Sequence, residues 1–294
     1  MSGLIRFAPS PTGYLHEGHL LSALYVWAAA AKWGLKVHLR IEDHDQSRAR
    51  PAYIEGIRED LAWLGFRYDS ESIQSKRSTI YEAALQKLEA KSLVYPCYCS
   101  RKQLQDENPK SETGEIIYQG KCFFRRQPYK ASDESAPHNL RFIVLDKVIH
   151  WHDLRLGDFH ENPKLQCGDF PIRDREGQWT YQFAVCVDDI DENITHIVRG
   201  EDIRNSTARQ IALMEALGRT ERPVYLHHPL IVDENNKKLS KRELAHSLRQ
   251  DKEAGITPEM LLGRVCHKAH LAVSDAPISL QEAIALVAHT LPSP

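Results

Sequence analysis

The stretch Phe7-Ala8-Pro9-Ser10-Pro11-Thr12-Gly13-Tyr14-Leu15-His16-Glu17-Gly18-His19 constrains this chain more than any other. It lies between an apolar run, Leu4–Phe7, that reads as a strand and an Ala-rich run, Gly18–Trp33, that reads as a helix. A strand passing into a helix through a Gly/Pro loop begins an α/β unit. His-x-Gly-His at the helix start sets two imidazoles and a close backbone approach where phosphate oxygens dock. More than 200 residues later, Lys238-Leu239-Ser240-Lys241-Arg242 places closely spaced cations on an Asn/Lys-rich loop. Such cations suit the charge that builds on a triphosphate during displacement.

The α/β pattern continues with a strand at Val37–Ile41 and a helix at Pro51–Gly65, predicting a parallel sheet. Open sheets of this kind bind ligands beyond the carboxyl ends of their strands, where the Ala8–Tyr14 loop and Glu42 both fall. A further helix is expected at Ser78–Ala90. Residues from about Tyr95 to Asp174 change character, rich in Cys, Tyr, Lys, Gln and Pro, and read as an inserted module. Strands are expected at Trp179–Val187, Ile194–Val198 and Val224–Val232, with a helix at Ser206–Leu217 and a helical tail from Leu244, broken near Gly255–Pro258. The partition expected is therefore 1–92 and 175–232 as two halves of one α/β domain, 93–174 as an insertion, and 233–294 as the basic loop with a helical end.

Composition narrows the class. Net charge of −2 over 294 residues excludes a generally basic coat, so nucleic acid would be met through local patches. Arg101, Lys102, Lys121, Arg125 and Arg126 in the insertion form one candidate patch, with a solvated charged face as the alternative. No run of about 18 apolar residues is present, so no membrane span is expected, and the immediate entry into a strand leaves no room for a signal peptide. Six cysteines in a chain this long point to a reduced, cytoplasmic setting. There, Cys97-Tyr98-Cys99 and Cys122 supply three thiolates that would bind Zn²⁺ if a fourth ligand joined, the alternative being buried free thiols. Cys167, Cys186 and Cys266 stand apart. Arg6 and Arg199 end strands that open into one crevice, and two guanidiniums suit a substrate with an extra carboxylate. Glu42 would hold an α-ammonium, and Tyr181 would close a wall.

The pairing of His16-Glu17-Gly18-His19 with Lys238-Leu239-Ser240-Lys241-Arg242 resembles the H-I-G-H and K-M-S-K-S signatures of class I aminoacyl-tRNA synthetases. Arg6 to Gly13, Arg40-Ile41-Glu42-Asp43, His196-Ile197-Val198-Arg199-Gly200-Glu201-Asp202 and His228-Pro229-Leu230 resemble the glutamyl branch. The resemblance implies a Rossmann-like catalytic domain. It implies ATP, with Mg²⁺, at Pro11, Thr12, Gly13, His16, Gly18, His19, Leu239, Ser240 and Lys241. His16, His19, Lys238 and Lys241 would be catalytic, and Arg6, Ala8, Ser10, Glu42, Tyr181 and Arg199 would contact glutamate. It also offers Tyr118 as the fourth ligand of a structural zinc beside Cys97, Cys99 and Cys122. Glu17 departs from the family's usual apolar residue, and its nearness to the phosphate path predicts altered ATP affinity.

Only 52 residues follow Arg242, too few for the large anticodon-reading domain of a glutamyl-tRNA synthetase. The resemblance therefore narrows to the glutamyl-queuosine tRNA(Asp) synthetase family. It implies an enzyme that joins glutamate to queuosine in the anticodon of tRNA(Asp), and a monomer is expected. Three alternatives stay open: a truncated enzyme charging the tRNA 3′ end, a silent RNA- or zinc-binding paralogue, and an adenylate-forming ligase acting on a free amine.

Overall fold

A computed structural model describes residues 3–112, 114–124, 137–231 and 246–293. In chain order the elements are β1 (Leu4–Phe7), α1 (Glu17–Trp33), β2 (Lys36–Ile41), α2 (Pro51–Trp63), β3 (Ser70–Ile73), α3 (Ser78–Ala90) and β4 (Val94–Cys97). The middle of the chain holds α4 (Arg101–Glu107), α5 (Lys121–Phe124), β5 (Asn139–Phe142), β6 (Ile149–Asp153), β7 (Gly157–Glu161), α6 (Pro163–Gln166) and β8 (Phe170–Arg173). Then come α7 (Tyr181–Asp191), β9 (His196–Gly200), α8 (Thr207–Ala216), β10 (Val224–His228), α9 (Leu248–Glu253), α10 (Pro258–Lys268) and α11 (Leu280–Thr290).

A seven-stranded sheet runs β3-β2-β1-β9-β10-β6-β7, parallel except for the β6–β7 hairpin. β4, β5 and β8 form a separate antiparallel sheet. The hairpin β6–β7, from the middle of the expected insertion, thus extends the main sheet beside β10. Helix α1 starts on a reciprocal cap, with Gly18 N–H bonded to the His16 ring and His16 N–H to the His19 ring. It ends at Gly34, whose φ of +68° is the left-handed turn that stops helices. Between those ends Ala28 and Ala29 are fully buried, small enough to bring the helix close to the sheet.

One expected strand is a helix. Trp179–Val187 is rich in aromatic and β-branched residues, but α7 occupies Tyr181–Asp191 and Phe183 to Asp189 are all buried. A short apolar run does not separate strand from buried helix by periodicity, and here packing on every side decides for the helix. The helix also turns Asp188 and Asp189 toward the same arginine cluster, whereas a strand would send neighbours to opposite faces. Among the described residues, no helix is long and apolar enough to cross a membrane.

Candidate active site

The sheet order reverses between β1 and β9, and the crevice beyond their carboxyl ends is the ligand position of an open α/β sheet. A pocket of about 140 Å³ lies there, lined by Arg6, Ala8, Glu42, Tyr181 and Arg199 together with Pro9, His19, Ser22 and Gly200. Five of the six residues expected at glutamate therefore share one cavity. Ser10 is not among the lining residues; its carbonyl accepts the Thr12 N–H at 2.9 Å in the adjoining turn. The loop is fastened to the sheet because Glu42 N–H donates to the Pro9 carbonyl at 3.1 Å.

His16 and His19 flank the entrance to α1 with ring centroids 3.9 Å apart. Each Nδ1 accepts a backbone N–H, from Gly18 at 3.1 Å and His16 at 3.2 Å respectively. An acceptor Nδ1 puts the ring proton of a neutral imidazole on Nε2. Burial, helped by the neighbouring His16, pushes His19 down to about 3, so it is a neutral donor across the physiological range. Space at Gly18 is tight: a Cβ there would stand 3.0 Å from the His16 ring, which would have to give way by a few tenths of an ångström. At Gly13 a Cβ would meet nothing within 4 Å.

The two pocket arginines differ in their partners. Arg6 Nε donates to Asp189 Oδ1 at 3.0 Å. Arg199 donates to neutral acceptors, Gln210 Oε1 at 2.7 Å, Thr207 Oγ1 at 2.8 Å and His227 Nε2 at 3.0 Å. Its charge is thus uncommitted. Glu42 is 4% exposed; burial outweighs Arg40, His44 and Arg6 and lifts its carboxyl above the ordinary range. A ligand ammonium would reverse that shift.

Behind the pocket lies an ionic network that motif reading missed. Arg40, fully buried, donates to Asp189 at 2.8 Å and Glu192 at 2.9 Å, and its Nε lies 3.4 Å from Glu42. Burial raises the Asp189 carboxyl, but Arg6 and Arg40 outweigh it and hold it below the usual range. Asp188 receives Arg77 and Gln74, both at 2.7 Å. The available signal was the Asp188-Asp189 pair in an otherwise apolar run, hidden by the strand assignment.

Glu17 does not line the pocket. Its carboxylate pairs with Arg264 at 2.8 Å and Lys268 at 2.7 Å, which neutralise it and fix α10 against the start of α1.

Lys238, Leu239, Ser240, Lys241 and Arg242 lie outside the described residues, as do Arg125 and Arg126. The flanks are described. Ile231 packs in the core with α1, and Ser247 bridges to His16 while Leu248 N–H donates to the Leu15 carbonyl at 2.8 Å. Of the remaining basic candidates, Arg101 and Lys102 are exposed on α4, and Lys121 pairs with Glu107.

In the insertion, Cys97, Cys99 and Cys122 bring their sulfurs within 4.8 Å of one another. Cys99 and Cys122 are 3.5 Å apart, and Tyr118 Oη stands 3.5 Å from Cys97 and 3.7 Å from Cys99. A tetrahedral Zn²⁺ with ~2.3 Å bonds to sulfur needs edges of about 3.8 Å, so the four groups fit a zinc ion with small shifts. Contacts among the thiols draw Cys122 down to about 6 and, together with burial, push Cys97 up to about 12. Gly168 brings Tyr118 into place: at φ of +64°, it lets the Tyr118 carbonyl approach to 2.1 Å of where a Cβ would be. Cys167, Cys186 and Cys266 are buried free thiols elsewhere.

Comparison with known proteins agrees with this geometry. The family model for tRNA synthetases class I (E and Q), catalytic domain, matches residues 4–280. The glutamyl-Q tRNA(Asp) synthetase of Neisseria gonorrhoeae is 37% identical over 273 residues, covering 92% of this chain and 89% of that protein. The glutamate–tRNA ligase of Trichodesmium erythraeum is 38% identical over 278 residues, 90% of this chain, of which the chain spans only 31%. A glutamate tRNA ligase from Elizabethkingia meningosepticum, solved in complex with its amino acid, superposes with a TM-score of 0.78 at 28% identity, covering 97% of this chain and 64% of that one. The chain therefore belongs to the class I tRNA synthetases of the E and Q type, and within them to the glutamyl-Q tRNA(Asp) synthetase family.

Proposed function

We propose that the protein activates L-glutamate with ATP and transfers it to queuosine in the anticodon of tRNA(Asp), in the cytoplasm. The observation that carries the amino-acid assignment is the pocket's charge layout. The pocket is lined both by Arg199, whose guanidinium donates to neutral side chains, and by Glu42, which a bound cation would ionise. An amino acid with a side-chain carboxylate matches both. The acceptor assignment draws its support from the N. gonorrhoeae relative, whose length the chain nearly matches.

The substrate α-carboxylate attacks the α-phosphorus of ATP, a carboxyl-to-phosphate bond forms, and pyrophosphate leaves with Mg²⁺ on its oxygens. His16 and His19 present Nε2–H donors to the developing negative charge, and Lys238 and Lys241 supply cations to the same phosphates. No covalent enzyme nucleophile takes part. Catalysis is positioning and electrostatics. A hydroxyl of the acceptor nucleoside then attacks the acyl carbon and AMP departs. Cys97, Cys99, Cys122 and Tyr118 would hold a structural Zn²⁺ that ties the end of β4 and the loop after it to α5 and the loop before it, leaving no open position for chemistry.

The direct test is exchange of labelled pyrophosphate into ATP, with glutamate, glutamine and aspartate compared. Exchange with glutamate at least about 100-fold more efficient than with glutamine, which lacks the charge Arg199 reads, is expected. Equal exchange with both would refute the assignment.

A further inference from the structure

Arg199 is 5% exposed, and two of its neutral acceptors have a fixed sense. Gln210 presents its carbonyl because its amide donates to Gln182 at 2.9 Å, and the Gln182 amide in turn donates to Ser206 at 2.9 Å. His227 has two neutral tautomers, and only the one with a bare Nε2 accepts from Arg199 Nε. Its Nδ1 stands 2.7 Å from Asp153 Oδ2. Asp153, itself fully buried, also takes the backbone N–H groups of His227 at 2.9 Å and of Arg155 and Leu156 at 3.0 Å. A carboxylate that takes three backbone N–H donors, two on Oδ1 and one on Oδ2, is an acceptor on both oxygens. The His227 ring proton therefore belongs on Nδ1, and Nε2 keeps its lone pair. Burial pushes His227 down to about 4, so the ring stays neutral near pH 7. The three residues come from adjacent strands, β9, β10 and β6.

We propose that Asp153 and His227 are positioning residues that hold Arg199 in the orientation that reads the substrate carboxylate, Asp153 by fixing the tautomer of His227 and His227 by accepting from Arg199 Nε. This rests on the pocket being the glutamate site. Neutral acceptors fix a guanidinium without neutralising it, whereas a carboxylate at that distance, as Asp189 is to Arg6, would compete with the substrate. Placing the acid one imidazole away keeps the orientation and spares the charge.

The test joins pyrophosphate exchange to ¹⁵N spectra of the histidine rings. His227→Leu is expected to raise the KM for glutamate about tenfold or more, with the KM for ATP and kcat within about twofold. His227→Gln, which restores an acceptor, is expected to recover most of that loss. In the wild-type protein the ring proton is expected on Nδ1, a readout that needs no variant to fold. A ring proton on Nε2, or a folded His227→Leu with unchanged glutamate KM, overturns the relay alone. Wild-type protein without glutamate-dependent exchange overturns the glutamate reading and the relay with it.

Discussion

Glu42 shows how burial tunes a single residue. Water is excluded around it, so its carboxyl holds its proton to a higher pH than an exposed glutamate does. Only the ionised form attracts an ammonium. As pH falls from neutrality, the KM for glutamate is therefore expected to rise, and to begin rising at a higher pH than an exposed glutamate would impose, because burial lifts the Glu42 carboxyl. Glu42→Gln removes the charge at every pH. Its KM is expected to be higher by roughly 10- to 100-fold, the worth of a buried charge-assisted hydrogen bond, and nearly flat over the same fall in pH. Steady-state exchange kinetics at five pH values would check both, and a wild-type KM that does not change would count against Glu42 as the ammonium site. Residues such as Arg6, His19 and Glu42 were legible because they sit at strand ends or a helix start, where the α/β pattern says ligands bind. Arg40 and Asp189 were not, because their roles arise from partners 149 positions apart in the chain.

Among elements, α1 and α3 were readable as helices, expected at Gly18–Trp33 and Ser78–Ala90 and found at Glu17–Trp33 and Ser78–Ala90. β3 was not legible, since Ser70-Glu71-Ser72-Ile73 is a polar edge strand whose pairing with β2 and side-chain bonds to His38, Arg58 and Glu192 come from other parts of the chain. The strands β4, β5 and β8 escaped for a related reason, as more than 40 residues separate β4 from the strand it pairs with. Helix α10 illustrates a contact visible only in three dimensions. Glu17→Ala would remove the carboxylate that pairs with Arg264 and Lys268 and would leave those cations without it. For such partly exposed pairs the expected loss is about 1 kcal/mol, or roughly 2–4 °C in Tm. The KM for ATP is expected to stay within about twofold. A large ATP effect without thermal destabilisation would restore Glu17 to the phosphate path.

At the scale of the molecule, two sheets divide the labour. The seven-stranded sheet sets the pocket at its switch point, and the three-stranded sheet carries the cysteine cluster. Purified protein is expected to contain about one zinc per chain. Cys99→Ser is expected to lose it and to lower Tm by on the order of 10 °C, as metal binding is also folding free energy. Metal analysis beside thermal denaturation measures both, and full zinc content in Cys99→Ser would place the ion elsewhere. The central claim concerns the acceptor. Labelled glutamate, ATP and Mg²⁺ should be incubated with tRNA(Asp) bearing queuosine, with tRNA(Asp) lacking it, and with tRNA(Glu). Label on the queuosine-bearing tRNA alone, persisting after periodate oxidation of the 3′ end beforehand, is the predicted result. Label on tRNA(Glu) that periodate abolishes would contradict it and make this protein a charging enzyme.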